Sequence, residues 1–164
     1  MTINMSVHNR LSVTPGAYSG ATADVFNVDG IAYKVFRVYG VANPIERVRA
    51  RFESETAAYS RAAVDSWLQP HTATYHGATE IDDVLDESGQ SVGSMYALNC
   101  CYRIELLTGD ERKFLTTGLR EANEHLREAE RRFSAMGIDL RDSSVFNGED
   151  AERFKFIDFR LENS

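Results

Sequence analysis

Two apolar runs, Ala23 to Val28 and Ile31 to Val38, flank the dipeptide Asp29-Gly30, and apolar residues at steps of three and four follow from Ile45 to Ala63. Asp-Gly between apolar runs signals a tight hairpin, and the later spacing is that of an amphipathic helix. A chain that starts this way is committed to an antiparallel pair leading into a helix. A further strand is expected upstream over Leu11 to Thr14, followed by a turn-rich stretch from Pro15 to Gly20. The stripe Ile45, Val48, Phe52, Thr56, Tyr59 and Ala63 predicts a helix from Pro44 to about Leu68, ended by Pro70.

The alternation resumes between Thr72 and Tyr102, with a turn at Glu87-Ser88-Gly89-Gln90 between Val84-Leu85 and the run Val92 to Cys101, which predicts two more strands. Leu115, Leu119, Ala122, Leu126, Ala129, Phe133 and Met136 then form one stripe, so a single helix is expected from about Asp110 to Met136, stopped at Gly137. The tail reads as loop with one strand at Phe154-Lys155-Phe156-Ile157, while Met1 to Ser12 is weakly patterned. Strands, helix, strands, helix, then loop and strand describe an α+β chain rather than a regular βαβ protein. At 164 residues one domain is expected.

Eighteen basic against 25 acidic residues give a net charge of −7, which argues against a nucleic-acid partner. The only cysteines, Cys100 and Cys101, are adjacent and offer neither a disulfide framework nor two ligand pairs for zinc, so a reducing, cytoplasmic compartment is expected. No apolar run is long enough to span a membrane, and no Sec leader is recognisable. His8, His71, His76 and His125 lack metal-ligand spacing.

Several charged residues fall where the pattern predicts burial. Period-two alternation puts Lys34 on one strand face with Ala32, Phe36 and Val38. Glu55 lies three residues after Phe52 and four before Tyr59, along the apolar stripe of the first helix. A buried ammonium or carboxylate needs a partner, and the economical solution is that Lys34 and Glu55 pair with each other. Read singly, Lys34 could snorkel at a strand edge and Glu55 could solvate itself at a helix flank. Downstream, Asp142 and Asn147 stand five apart in a loop, and Asp158 closes an apolar strand on the face of Phe154 and Phe156, where a carboxylate wants a metal ion or several hydrogen bonds.

In this order the residues resemble the protein-kinase signature set: a Gly-rich loop ending in Val, V-A-I-K, a helix Glu, H-R-D-x-x-x-x-N and D-F-G. The matching stretches are Gly20-Ala21-Thr22-Ala23-Asp24-Val25, Ile31-Ala32-Tyr33-Lys34, Glu55, Leu140-Arg141-Asp142 with Asn147, and Asp158-Phe159-Arg160. Tyr18 and Ala23 stand where two loop glycines would be, Leu140 replaces the His, and Arg160 replaces the Gly. Asp139 is a rival to Asp142, but its separation from Asn147 is eight rather than five. Only six residues follow Asp158, so the later lower-lobe segments of an ordinary kinase are not expected. In this the chain resembles the minimal effector kinases that bacterial pathogens inject by type III secretion, one branch binding ubiquitin-charged conjugating enzymes and another targeting the HSP90 chaperone.

The resemblance implies a minimal bilobal fold: an N-lobe sheet with its helix over residues 10–98, and a truncated, mainly helical C-lobe over residues 99–164. It implies an ATP- and Mg2+-dependent protein kinase acting on Ser or Thr of a host protein, secreted into the host cytoplasm. Gly20, Ala21, Val25 and Ala32 would line the nucleotide, Lys34 held by Glu55 would contact its phosphates, and Leu98 to Cys101, including Cys100, would form the hinge beside adenine. Asp142 would serve as base, and Asn147 with Asp158 would hold Mg2+. The alternatives are a pseudokinase that only binds a partner, and a phosphotransferase acting on a small molecule.

Overall fold

Both residues of the expected hairpin turn adopt the left-handed conformation, Asp29 at φ 53° and Gly30 at φ 82°, as a tight two-residue hairpin requires. The Gly30 N–H donates to Asn27 Oδ1 at 3.0 Å and closes it. The turn joins strands β2 (Ala23–Val28) and β3 (Ile31–Arg37), which pair antiparallel with Val25 opposite Lys34. A short strand β1 (Asn4–Ser6) precedes them. The computed structural model describes residues 4–6, 22–38, 44–115 and 118–162; the expected strand at Leu11 to Thr14 and the turn-rich stretch at Pro15 to Gly20 lie outside them.

The helix after the hairpin is α1 (Ile45–Ala62). It stops earlier than the apolar stripe suggests because Asp65 accepts the N–H groups of Trp67 and Leu68, turning the chain before Pro70, which sits inside a 3-10 turn at Gln69–His71. Then come β4 (Tyr75–Thr79), β5 (Asp83–Leu85) and the long β6 (Tyr96–Glu105). Strands β2, β3, β6 and β4 form one four-stranded sheet in that order, and β1 pairs parallel with β5.

The single helix expected from Asp110 to Met136 is corrected. That stretch holds β7 (Glu111–Lys113), a one-turn α2 (Leu119–Ala122) and α3 (Glu124–Ala135). Asn123 makes the break: its backbone is extended, and its side chain accepts the N–H groups of His125 and Leu126, so it caps α3 instead of continuing α2. Leu115, the first residue of the stripe, is exposed. Beyond α3 lie β8 (Ile138–Asp139), β9 (Ser144–Phe146), β10 (Lys155–Ile157) and β11 (Arg160–Leu161).

The chain divides into two compact units, and it does so differently from the expected boundary near residue 98. One holds the described residues up to Glu53 with His76–Leu106; the other holds Ser54–Tyr75 and the chain from Leu107 onward. β6 is the physical reason: it stays paired with β3 as far as Glu105, so the first sheet cannot end at residue 98. In the first unit one face of the sheet buries Phe26, Val35 and Cys101 with Ile81, Val84 and Tyr96. On the other face Phe36 packs against Phe52 of α1 and against Tyr102, with ring centroids 6.1 and 6.3 Å apart.

The second unit is not mainly helical, as expected, but mixed. Its core is aromatic, with Phe133 against Phe156 and Phe159 at 5.2 Å each, Phe114 against Phe156 at 5.1 Å, and Tyr59 against Phe159 at 4.3 Å. Burying one such ring contributes about 1.5–3 kcal/mol, so a few rings supply much of what a unit this small needs. β10, β9 and β7 form a three-stranded antiparallel sheet beside this core, and β11 pairs with β8.

Candidate functional site

Lys34 is where the alternation predicts. It is 8% exposed, opposite Val25 on one side and Tyr102 on the other, with Nζ 5.4 Å from the Phe36 ring centroid and 5.8 Å from that of Tyr102. Two ring faces at such distances attract a cation, each by about 0.5–2 kcal/mol. Ala32, on the same face, is fully buried, and Val25 nearly so. Glu55 is 0% exposed, in the half of α1 that belongs to the second unit. Gly20 and Ala21 lie outside the described residues.

Leu98 and Cys100 do not stand at a chain crossing. The β3–β6 register slips beside them, with Val35 facing Cys101 but Arg37 facing Tyr96, and the Leu98 carbonyl accepts the N–H of Ile81. They form an irregularity within β6, and the strand continues past them, so the expected hinge is not there; the first residues beyond the strand are 106–110. Both cysteines are buried and free, and burial pushes the Cys101 thiol up to about 12, which leaves little thiolate for chemistry.

The loop after α3 separates the two acids weighed as base. Asp139 is tied to Arg141, accepting its backbone N–H and its guanidinium, and this first of all holds the carboxyl below its ordinary range. Asp142 is more open, with 59% of its side chain exposed, and Arg160 Nη2 stands 3.4 Å from Oδ2. Arg160, in place of the Gly after Asp-Phe, thus supplies a positive charge beside Asp142.

Asn147 and Asp158 were expected to hold one metal together, and the β9–β10 hairpin places them at opposite ends. Phe146 faces Lys155 and Ser144 faces Ile157. Asn147 therefore leaves the sheet at the Lys155 end, and Asp158 leaves it at the Ser144 end, beside Ser143 and Asp142. Two residue steps along β9, from Phe146 to Ser144, separate the ends, or about 7 Å of strand. The five-residue spacing from Asp142 to Asn147 is spanned by β9 itself, and an extended strand carries its ends apart. Both residues have positive φ, 55° for Asn147 and 61° for Asp158, so the period-two run stops at Ile157 and Asp158 does not share the face of Phe154 and Phe156. Asn147 instead packs over Gly109, where any side chain would collide with its amide, and it lines a cleft of about 310 Å³ with Asp110, Glu149, Asp150 and Arg153.

A further acid occupies the sheet, one that the sequence disguised as the first turn of a helix, where carboxylates are favoured. Glu111 in β7 carries a carboxyl pushed above its ordinary range, chiefly by burial and further by the negative charge of Asp158. Ser144 and Lys113 pull it the other way. Ser144 neighbours the carboxyl without reaching the geometry of a full hydrogen bond: its Oγ and Glu111 Oε1 are both buried and unsatisfied. Each such atom costs about 1–3 kcal/mol. Among the described residues no three His, Cys, Asp or Glu side chains gather as a metal cluster, and no helix is long and apolar enough to cross a membrane.

Comparison of the chain with protein-family models, curated proteins and solved structures finds no match.

Proposed function

We propose that the protein is an ATP- and Mg2+-dependent protein kinase of the minimal kind used as bacterial type III effectors, acting on a Ser or Thr hydroxyl of a host protein. The observation that carries this reading is a pair of opposite charges withdrawn from water, Lys34 at 8% and Glu55 at 0% exposure. Neither is tolerated on an apolar face without a dedicated role or partner. In this reading Glu55 holds Lys34, Lys34 contacts the phosphates, and Val25 and Ala32 flank the base. Asp142 takes the proton as the acceptor oxygen bonds to the γ-phosphorus and the β–γ bridge opens, releasing ADP. Asp158 is the cation ligand; Asn147, at the far end of the hairpin, is not kept in that role. The HSP90 chaperone and ubiquitin-charged conjugating enzymes are the host targets to examine first.

Phosphate transfer from labelled ATP into host-cell lysate tests this. Lys34→Ala and Asp142→Ala are each expected to lower incorporation by roughly two orders of magnitude or more. Equal labelling by wild type and both variants rejects catalysis at this site. The distance of Asn147 from Asp158 favours a second reading, a pseudokinase that binds nucleotide or a partner without transfer. A Mg2+-dependent thermal shift with ATP in a protein that labels nothing supports that one.

A further inference from the structure

Asp142 sits in an exposed loop, yet two cations from different strands of the same unit reach it. The fully buried Ser143 closes the turn around it: its N–H and its hydroxyl both donate to the Leu140 carbonyl, at 3.0 and 2.7 Å. The Phe114 N–H donates to the Ser143 carbonyl at 3.1 Å, which ties the loop to the end of β7. Beside it the Lys113 ammonium donates to the Asp142 carbonyl at 3.2 Å. Arg160 of β11 reaches the carboxylate itself, Nη2 to Oδ2 at 3.4 Å. The place of Arg160 is set by its strand, because its backbone pairs with Asp139 in β8 and its side chain is half-buried. Asp139, the acid directly across from it, already accepts Arg141 Nε at 2.8 Å, and Arg160 hydrogen-bonds Asp142.

We propose that Arg160 is a positioning residue for Asp142: with Lys113 fixing the backbone of the loop, the guanidinium aims the carboxylate at the acceptor hydroxyl. The proposal rests on the kinase reading in making Asp142 the group that meets that hydroxyl. An exposed ion pair of this length contributes little to stability, so stability is no reason for it. Phosphoryl transfer asks the protein mainly to position its groups, and a misplacement of about 1 Å can cost a hundredfold in rate. A carboxylate with 59% of its side chain exposed turns freely unless something holds it, and a planar guanidinium delivered from a paired strand supplies that hold. Catalytic hydrogen bonds are often long without substrate and tighten when it binds. Arg160 stands where the resembled motif has Gly, so the charge belongs to this chain's own design of the loop.

The test is the initial rate of labelled-phosphate transfer from ATP into host-cell lysate by the full chain, at varied ATP. Arg160→Ala should lower the maximal rate about tenfold or more and leave the KM for ATP within about twofold. Arg160→Lys should recover part of the loss, since it restores the charge without the fork. In an Asp142→Asn background, Arg160→Ala should change the residual rate by less than about twofold, because the carboxylate it positions is gone; a merely structural role would lower that rate again. Thermal melts check each variant, and Arg160→Gln, which keeps the stem and loses the charge, decides if Arg160→Ala does not fold. A wild-type maximal rate in Arg160→Ala, or an equal loss with and without the Asp142 carboxylate, overturns the proposal and leaves the kinase reading standing. No transfer by wild type overturns both.

Discussion

Asp24 shows how far a single residue's role can depend on partners distant in the chain. It is 1% exposed, accepts Arg37 Nη1 at 2.9 Å and accepts the hydroxyl of Tyr96, seventy-two positions away, at 2.7 Å. In the sequence it reads only as one position of a small-residue loop. Removing it strands a guanidinium and a phenol, so Asp24→Ala should cost about 3–5 kcal/mol in urea unfolding. Tyr96→Phe removes one hydrogen bond and should cost about 1 kcal/mol. Lys34 and Glu55 were legible for the opposite reason. Their burial follows from the period of their own element, which twelve or so neighbouring residues state without help from elsewhere.

Elements were readable where turn chemistry marked their ends. Asp29-Gly30 fixed the β2–β3 hairpin to the residue. Gly30 has open space around it but φ 82°, so Gly30→Val should meet no clash and still cost about 1–2 kcal/mol in backbone strain. Its signature is a lower urea midpoint with an unchanged m value. The stripe from Leu115 to Met136 misled because apolar spacing does not reveal a cap in the middle of a pattern. Asn123 ends α2 and starts α3, and Asn123→Ala should lower stability by about 1 kcal/mol, read as a fall in Tm. The same stripe put Glu111 within the expected helix, whereas it is a strand residue of β7.

At the scale of the molecule, pH couples to folding through His71. The ring is buried against Phe154, with centroids 4.0 Å apart, and Nδ1–H donates to the Phe154 carbonyl at 3.0 Å. Burial lowers its pKa below the ordinary 6.5; the charges of His125 and Lys155 add to this, and the Phe154 carbonyl opposes it. The unfolded chain therefore takes up the proton first as pH falls. Stability is intact above about 6.5 and declines from there toward the depressed folded value. Thermal melts from pH 7.5 to 5 should show Tm falling for wild type and falling less for His71→Gln.

The α+β class, the first hairpin, the helix after it and the burial of Lys34 and Glu55 follow from residue order alone, because they depend on periods and turns written within a few neighbouring residues. Which charged groups stand together depends instead on how the strands pair. Strand pairing converts sequence spacing into distance: five residues between Asp142 and Asn147 became an extended strand that carries Asn147 away from Asp158, while Glu111, over thirty residues before Ser144, came to lie beside it through the register of β7 and β9.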